Sequence, residues 1–160
     1  MRARTLEGAA GLVMLTLASC SYLDPQNGPE LVACTDVDSR PDAPVDFQRD
    51  IRPLIQRSNT DPTGHGCVAC HDSTRPEHSC LDATGLDTST LGGIRKGGHT
   101  TGTSIIVPGK PCESALVQKL VGDYPVGVQM PKDGPAYWSQ SQIQLVKDWI
   151  AEGANGADSE

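Results

Sequence analysis

Cys67-Val68-Ala69-Cys70-His71 is the stretch on which the reading of this chain turns. Two thiols stand three positions apart, and an imidazole follows the second directly. The surrounding 160 residues amount to one domain, or one domain with a tail. They include 6 Cys, 17 Gly and 12 Pro but only six aromatic residues: Tyr22, Phe47, Tyr124, Tyr137, Trp138 and Trp149. That stock of large side chains would build only a small core. The balance of 13 basic against 20 acidic side chains gives a net charge of −7, which argues against a nucleic-acid partner or an anionic membrane surface. No sustained heptad, internal repeat or long apolar run is present, so coiled coils, repeat arrays and polytopic membrane proteins are excluded. Six cysteines are many for a reducing cytosol, which makes the compartment the next question.

Arg2 and Arg4 precede Gly8 to Ser19, a run of small and apolar residues too short to span a bilayer and long enough for a signal sequence. Its end, Leu17-Ala18-Ser19-Cys20, resembles the bacterial lipobox. That resemblance implies cleavage before Cys20 and a lipid on its thiol. Ser21, rather than Asp, follows the Cys, which implies the outer membrane, facing the periplasm. An ordinary cleaved signal is the alternative. The expected organisation is a lipoprotein signal peptide over 1–19, a flexible Pro- and Asp-rich tether over 20–44, a domain over 45–155 and a disordered tail over 156–160. Membrane contact would run through the N-terminal lipid alone.

In an exported chain, C-x-x-C-H is the attachment signature of c-type haem. Cys67 and Cys70 would each add across a vinyl group, and His71 would fall beneath the iron as axial ligand. Two alternatives stand beside this reading. A zinc site would need Cys67, Cys70 and two of His71, His78 and Cys80, at gaps that match no usual ligand spacing. A plain disulfide is the other. For the sixth position the mature chain offers one methionine, Met130, in a loop marked by Pro125, Gly127, Pro131, Gly134 and Pro135. The competing role for Met130 is to fill an apolar gap. His65, His78 and His99 read as solvated surface residues.

The scaffold is expected to be helical. Asp46 would cap a helix carrying Phe47, Ile51, Leu54 and Ile55 on one face, with Pro53 kinking it or marking its start. A short helix over 89–96 would end at Gly97-Gly98, and another would run over 111–121 with Ala115, Leu116 and Leu120 inward. Ser139 to Gln142 reads as a capping box, with Trp138 placed to staple onto Ile143. The stripe Ile143, Val146, Trp149, Ile150 then reads as core, and Gly153 as the stop. Ile105, Ile106, Val107 and Pro108 are expected to line the haem, with Trp149 counted beside it.

This order resembles class I cytochrome c, most closely the planctomycete-type domain of exported bacterial proteins. The matching stretches are Phe47 to Pro53, Cys67 to His71, Val107-Pro108-Gly109 with Ser114-Ala115-Leu116, Met130-Pro131, and Trp149 to Ala154. The resemblance implies an all-α cytochrome c fold, three to five helices wrapped around one covalent haem c with long loops. It covers 45–155 and departs from the pattern at Cys80 and Cys112, a pair expected to bridge over the haem edge. The expected function is a monohaem electron carrier, not an enzyme, exchanging single electrons with a basic redox partner. The alternatives are a haem sensor or enzyme with an open axial position, and a non-haem interaction module held by disulfides or zinc.

Overall fold

Every regular element is helical and none is a strand among the residues that the computed structural model describes: 34–75, 79–132 and 134–159. All of these fall in one unit, Leu31–Glu160. The expected signal peptide, Cys20 and His78 lie outside the described residues.

The N-terminal helix divides where Pro53 requires it to. Asp46 caps the entry by accepting from the Arg49 N–H at 2.7 Å. A wide π-helical turn, Phe47–Ile51, then passes into α1, Arg52–Ile55, with Pro53 in the first turn. Pro53 has no N–H to continue the ladder, so the break falls at its N-terminal side. The first expected helix is therefore two short segments with one shared buried face: Phe47, Ile51, Leu54 and Ile55.

At the other end of the domain, α6 (Gln140–Ala151) opens on the expected capping box. The Ser139 hydroxyl accepts from Gln142 N–H at 3.3 Å, and the Gln142 amide oxygen accepts from Ser139 N–H at 2.7 Å. Its stripe Ile143, Val146, Trp149 and Ile150 is buried, with Trp149 fully so. Phe47 meets Trp149 with ring centroids 5.4 Å apart, so the first and last helical segments pack together through their aromatics.

Between them lie α2 (Val68–His71), α3 (Ser79–Thr84), α4 (Leu91–Lys96), a 3-10 turn Gly102–Ile105, a second Pro111–Glu113, and α5 (Ala115–Val121). Thr90 caps α4, and Gly97 ends it at φ +72, where a Cβ would strike the Gly102 backbone. The segment expected as one helix over 111–121 is split at Ser114. That residue is extended, its hydroxyl accepts from Val107 N–H at 2.9 Å and donates to Lys110 O at 3.0 Å. Helix α3 and the turn Gly102–Ile105 carry no sequence signal of comparable strength.

Three expectations are corrected here. The described part of the supposed tether, 34–44, is fixed to the domain. Ser39 donates its N–H and hydroxyl to the Asp148 carboxylate at 2.9 and 2.7 Å, and Val45 N–H bonds Glu152 at 2.8 Å. The tail is also docked: Gly92 N–H bonds Asp158 O at 3.0 Å, and Arg95 reaches the Asp158 carboxylate and Ala154 O. Finally, Cys112 pairs with Cys34, not with Cys80. Cys80 lines a cavity that Cys112 does not reach, whereas Asp36 accepts from the Cys112 N–H at 2.8 Å and brings the N-terminal strap to it.

Candidate cofactor site

The approach to Cys67 is fixed by the end of α1. Ile55 O, an orphan carbonyl at that helix terminus, accepts from Cys67 N–H at 2.8 Å. Gly66 passes so close to the Arg57 backbone and Ile55 O that no side chain fits there. The motif then forms a single turn, with Cys67 O accepting from Cys70 N–H at 3.2 Å and from His71 N–H at 3.0 Å. Positions i, i+3 and i+4 of such a turn share one face. Cys67, Cys70 and His71 all line one cavity of about 610 Å³. That volume lies within the range of sites for cofactor-sized organic ligands, about 300–1,000 Å³.

His71 is held at both ends. Thr88 donates its N–H and hydroxyl to His71 O at 2.5 and 2.9 Å. The Thr84 hydroxyl lies 3.3 Å from His71 Nδ1 and donates its one hydrogen to Cys80 O at 2.6 Å. With that hydrogen committed, Thr84 Oγ1 is an acceptor toward the ring, so Nδ1 carries the proton and Nε2 keeps its lone pair. Burial lowers the His71 pKa, opposed by a hydrogen bond with the Leu86 backbone. A neutral imidazole with Nδ1–H anchored and Nε2 unprotonated is the form that ligates a metal.

Cys67 is in the opposite condition to a redox-active nucleophile. Burial pushes its thiol pKa up to about 12, and the neighbouring Cys70 adds to the shift. Dithiol oxidoreductases depend on a depressed thiol pKa. Cys67 and Cys70 stay as thiols while Cys34–Cys112 is bridged, so the plain-disulfide reading of the motif is not what the structure contains. No group of three or more His, Cys, Asp or Glu is gathered for a metal ion among the described residues.

Met130 reaches the same cavity from a loop that closes the end of α5. A seven-residue helix leaves its last carbonyls without helical partners. Gln118 O takes Asp123 N–H at 2.9 Å, Lys119 O takes Met130 N–H at 2.9 Å, and Leu120 O takes the Gln129 side-chain amide at 2.9 Å. The chain therefore leaves the helix at Gly122 (φ +82) and folds back along its last turn, which brings Met130 to the cavity that Leu116 and Leu120 of α5 also line.

The apolar wall of the cavity comes from Ile55, Leu86, Ile94, Ile105, Leu116 and Leu120. Of the expected lining residues only Ile105 is among them. Ile106 is buried in the core, Val107 is half-buried and Pro108 exposed, in the turn bonded to Ser114. Trp149 packs on Phe47 and donates its indole N–H to Asn155 O at 2.9 Å. The core stripe thus uses Trp149 fully, and the cavity wall is drawn from α1, α4 and α5 instead.

His65 also departs from its reading as a surface residue: it is 9 % exposed and lines the cavity. Its main chain bonds Ala136 O at 3.1 Å and accepts the Trp138 indole N–H at 2.7 Å, while its Nε2 accepts from Ala136 N–H at 3.3 Å. That last bond places the imidazole proton on Nδ1, which is buried without a partner. In this arrangement His65 presents a donor, not a ligand lone pair. His99 is exposed, as expected. Thr84, Lys119 and Gln129 carry no motif; each works through a backbone carbonyl or a ring nitrogen brought near by the fold.

Comparison with known proteins gives nothing to set beside this geometry. No family model, curated protein or solved structure matches the chain. No helix among the described residues is long and apolar enough to cross a membrane.

Proposed function

We propose that the chain is a monohaem c-type cytochrome that carries single electrons between redox partners in the cell envelope. The observation that carries this reading is one apolar cavity lined together by two thiols at thioether spacing, an imidazole fixed as the Nδ1–H tautomer, and one thioether. That donor set fits haem c. Cys67 and Cys70 would hold the macrocycle covalently, with His71 and Met130 as axial ligands. Bound haem would supply a one-electron Fe(III)/Fe(II) couple.

The chain's own residues supply the setting. Thr84 keeps His71 in its ligating tautomer, and the α4 and α5 aliphatics that line the cavity would exclude water from a bound haem. With both His71 and Met130 holding the iron, no position would remain for a substrate, which favours carriage over catalysis. The −7 charge favours a basic partner in a small, transient encounter. The lipobox-like sequence before Cys20 supports export and a lipid anchor in the outer membrane, facing the periplasm.

The test is to express the full chain with a haem-maturation system and record oxidised and reduced spectra, with and without CO. A covalently bound, low-spin haem indifferent to CO is the expected result, and Met130→Ala should open the ferrous form to CO. Ready CO binding by the wild type would favour a sensor or enzyme. Absence of covalent haem sinks the cytochrome reading.

A further inference from the structure

We propose that Lys119 is a positioning residue whose ammonium clamps the Met130 loop to the cavity; its consequence at iron rests on the haem reading above. Lys119 Nζ donates to Val126 O and, at 3.3 Å, to Val128 O. It also stands 4.9 Å from the centroid of the Tyr124 ring. The backbone oxygen of the same residue accepts the Met130 N–H at 2.9 Å. One residue of α5 therefore holds the loop at its start, its middle and the methionine itself.

Packing does not replace that hold. Val126 and Val128 line the cavity and are 50 and 55 % exposed, so protein side chains alone bury too little of them to fix the backbone between them. Gly127 lies at φ +76, where the chain is at its most permissive. The two carbonyls that Lys119 gathers flank that glycine. Releasing them would free the 124–128 stretch, while Met130 would keep its own N–H bond, the Gln129 amide and the buried Pro131 beyond it. The lysine thus acts through Met130, as the group that keeps the thioether in reach.

The variants are K119L, which keeps an apolar stem, loses every donor and adds no iron ligand, and K119R, which keeps the charge and donors. Full-length holoprotein is examined for CO binding to the ferrous form, for the thioether-to-iron charge-transfer band of the ferric form, and for far-UV circular dichroism. K119L should bind CO at least about tenfold faster than wild type and lose intensity in that band, with helix content unchanged, and K119R should restore both. K119L that is inert to CO with the band intact overturns the proposal, as does K119R behaving like K119L. Amide exchange supplies a readout independent of haem. The Met130 N–H should exchange about tenfold faster in K119L while α6 amides are unaffected. K119A serves for both measurements if K119L does not accumulate. If the wild type carries no covalent haem, the cytochrome reading falls, and the exchange rate at Met130 alone decides the clamp: no change overturns it.

Discussion

Removing the Cys34–Cys112 bridge should cost the domain stability without disturbing the cavity. The two residues are 78 apart in sequence, so the bond closes a long loop in the unfolded chain. In the chain-entropy account such a loop corresponds to a loss of about 15 cal/mol/K, or about 4.5 kcal/mol at 25 °C. Haem attachment would not substitute for it, because links at Cys67 and Cys70 close a ring of only a few residues. In the native state the strap keeps its other anchors, Ser39 on Asp148 and Val45 on Glu152, so the fold around the cavity should persist. The double variant Cys34→Ala/Cys112→Ala should therefore lower the urea midpoint by about 2–3 M at a typical slope for a domain of this size. Its haem spectrum should match wild type at low denaturant. Cys80→Ala should leave the midpoint nearly unchanged. A loss below about 1 kcal/mol in the double variant would refute the entropic reasoning. Peptide mapping that recovered a Cys80–Cys112 link would refute the pairing itself.

Thr84→Val removes one acceptor beside His71 Nδ1–H and leaves the Leu86 backbone. A less strongly bonded imidazole donates less to the iron, so the reduction potential should rise; spectroelectrochemistry showing no rise would sink the tautomer argument. Gly66→Ala drives a Cβ into the Arg57 backbone and Ile55 O. No flexible side chain can give way, so a stability loss of about 3 kcal/mol in urea and poor haem loading are expected, and near-wild-type behaviour would show that α1 shifts freely. Asp148 gives a pH signature. Burial raises the pKa of its carboxyl, but the Ser39, Gln144 and Arg40 bonds outweigh that and hold it below the ordinary value. Its contribution is therefore complete above the unfolded carboxyl pKa and is lost as pH falls through the lower folded value. Asp148→Asn should cost about 2 kcal/mol at neutral pH, and the gap from wild type should narrow in acid; a gap constant with pH contradicts the assignment.

What the sequence announces and what it hides divide along the range of the interaction. The capping box at Ser139 and Gln142 depends on neighbours three positions apart and reads correctly from local spacing; the C-x-x-C-H spacing likewise brings Cys67, Cys70 and His71 onto one turn. The split at Pro53 follows equally from a residue that lacks an N–H. The strap over 34–44 does not, because its partners lie far off: Ser39 meets Asp148 across 109 positions. Proline and aspartate there resemble a solvated linker until Asp148 is placed. One hint was present. Asp148 sits between Val146 and Trp149 on α6 and is 1 % exposed, and a carboxylate in that setting needs donors from somewhere.

The cavity follows the same logic. Ile105-Ile106-Val107-Pro108 reads as the apolar wall because those residues are apolar and adjacent. Adjacency in an extended segment sends alternate side chains to different sides, and Ser114 draws the 107–110 turn away from the cavity. The wall comes instead from residues spaced along helices, such as Leu116 and Leu120, which share one face of α5. Met130 then arrives at that face for a reason unrelated to its sulfur: the short helix leaves carbonyls that the returning chain satisfies. Backbone hydrogen bonding thus carries the loop to the site, and the identity of residue 130 decides what the loop delivers there.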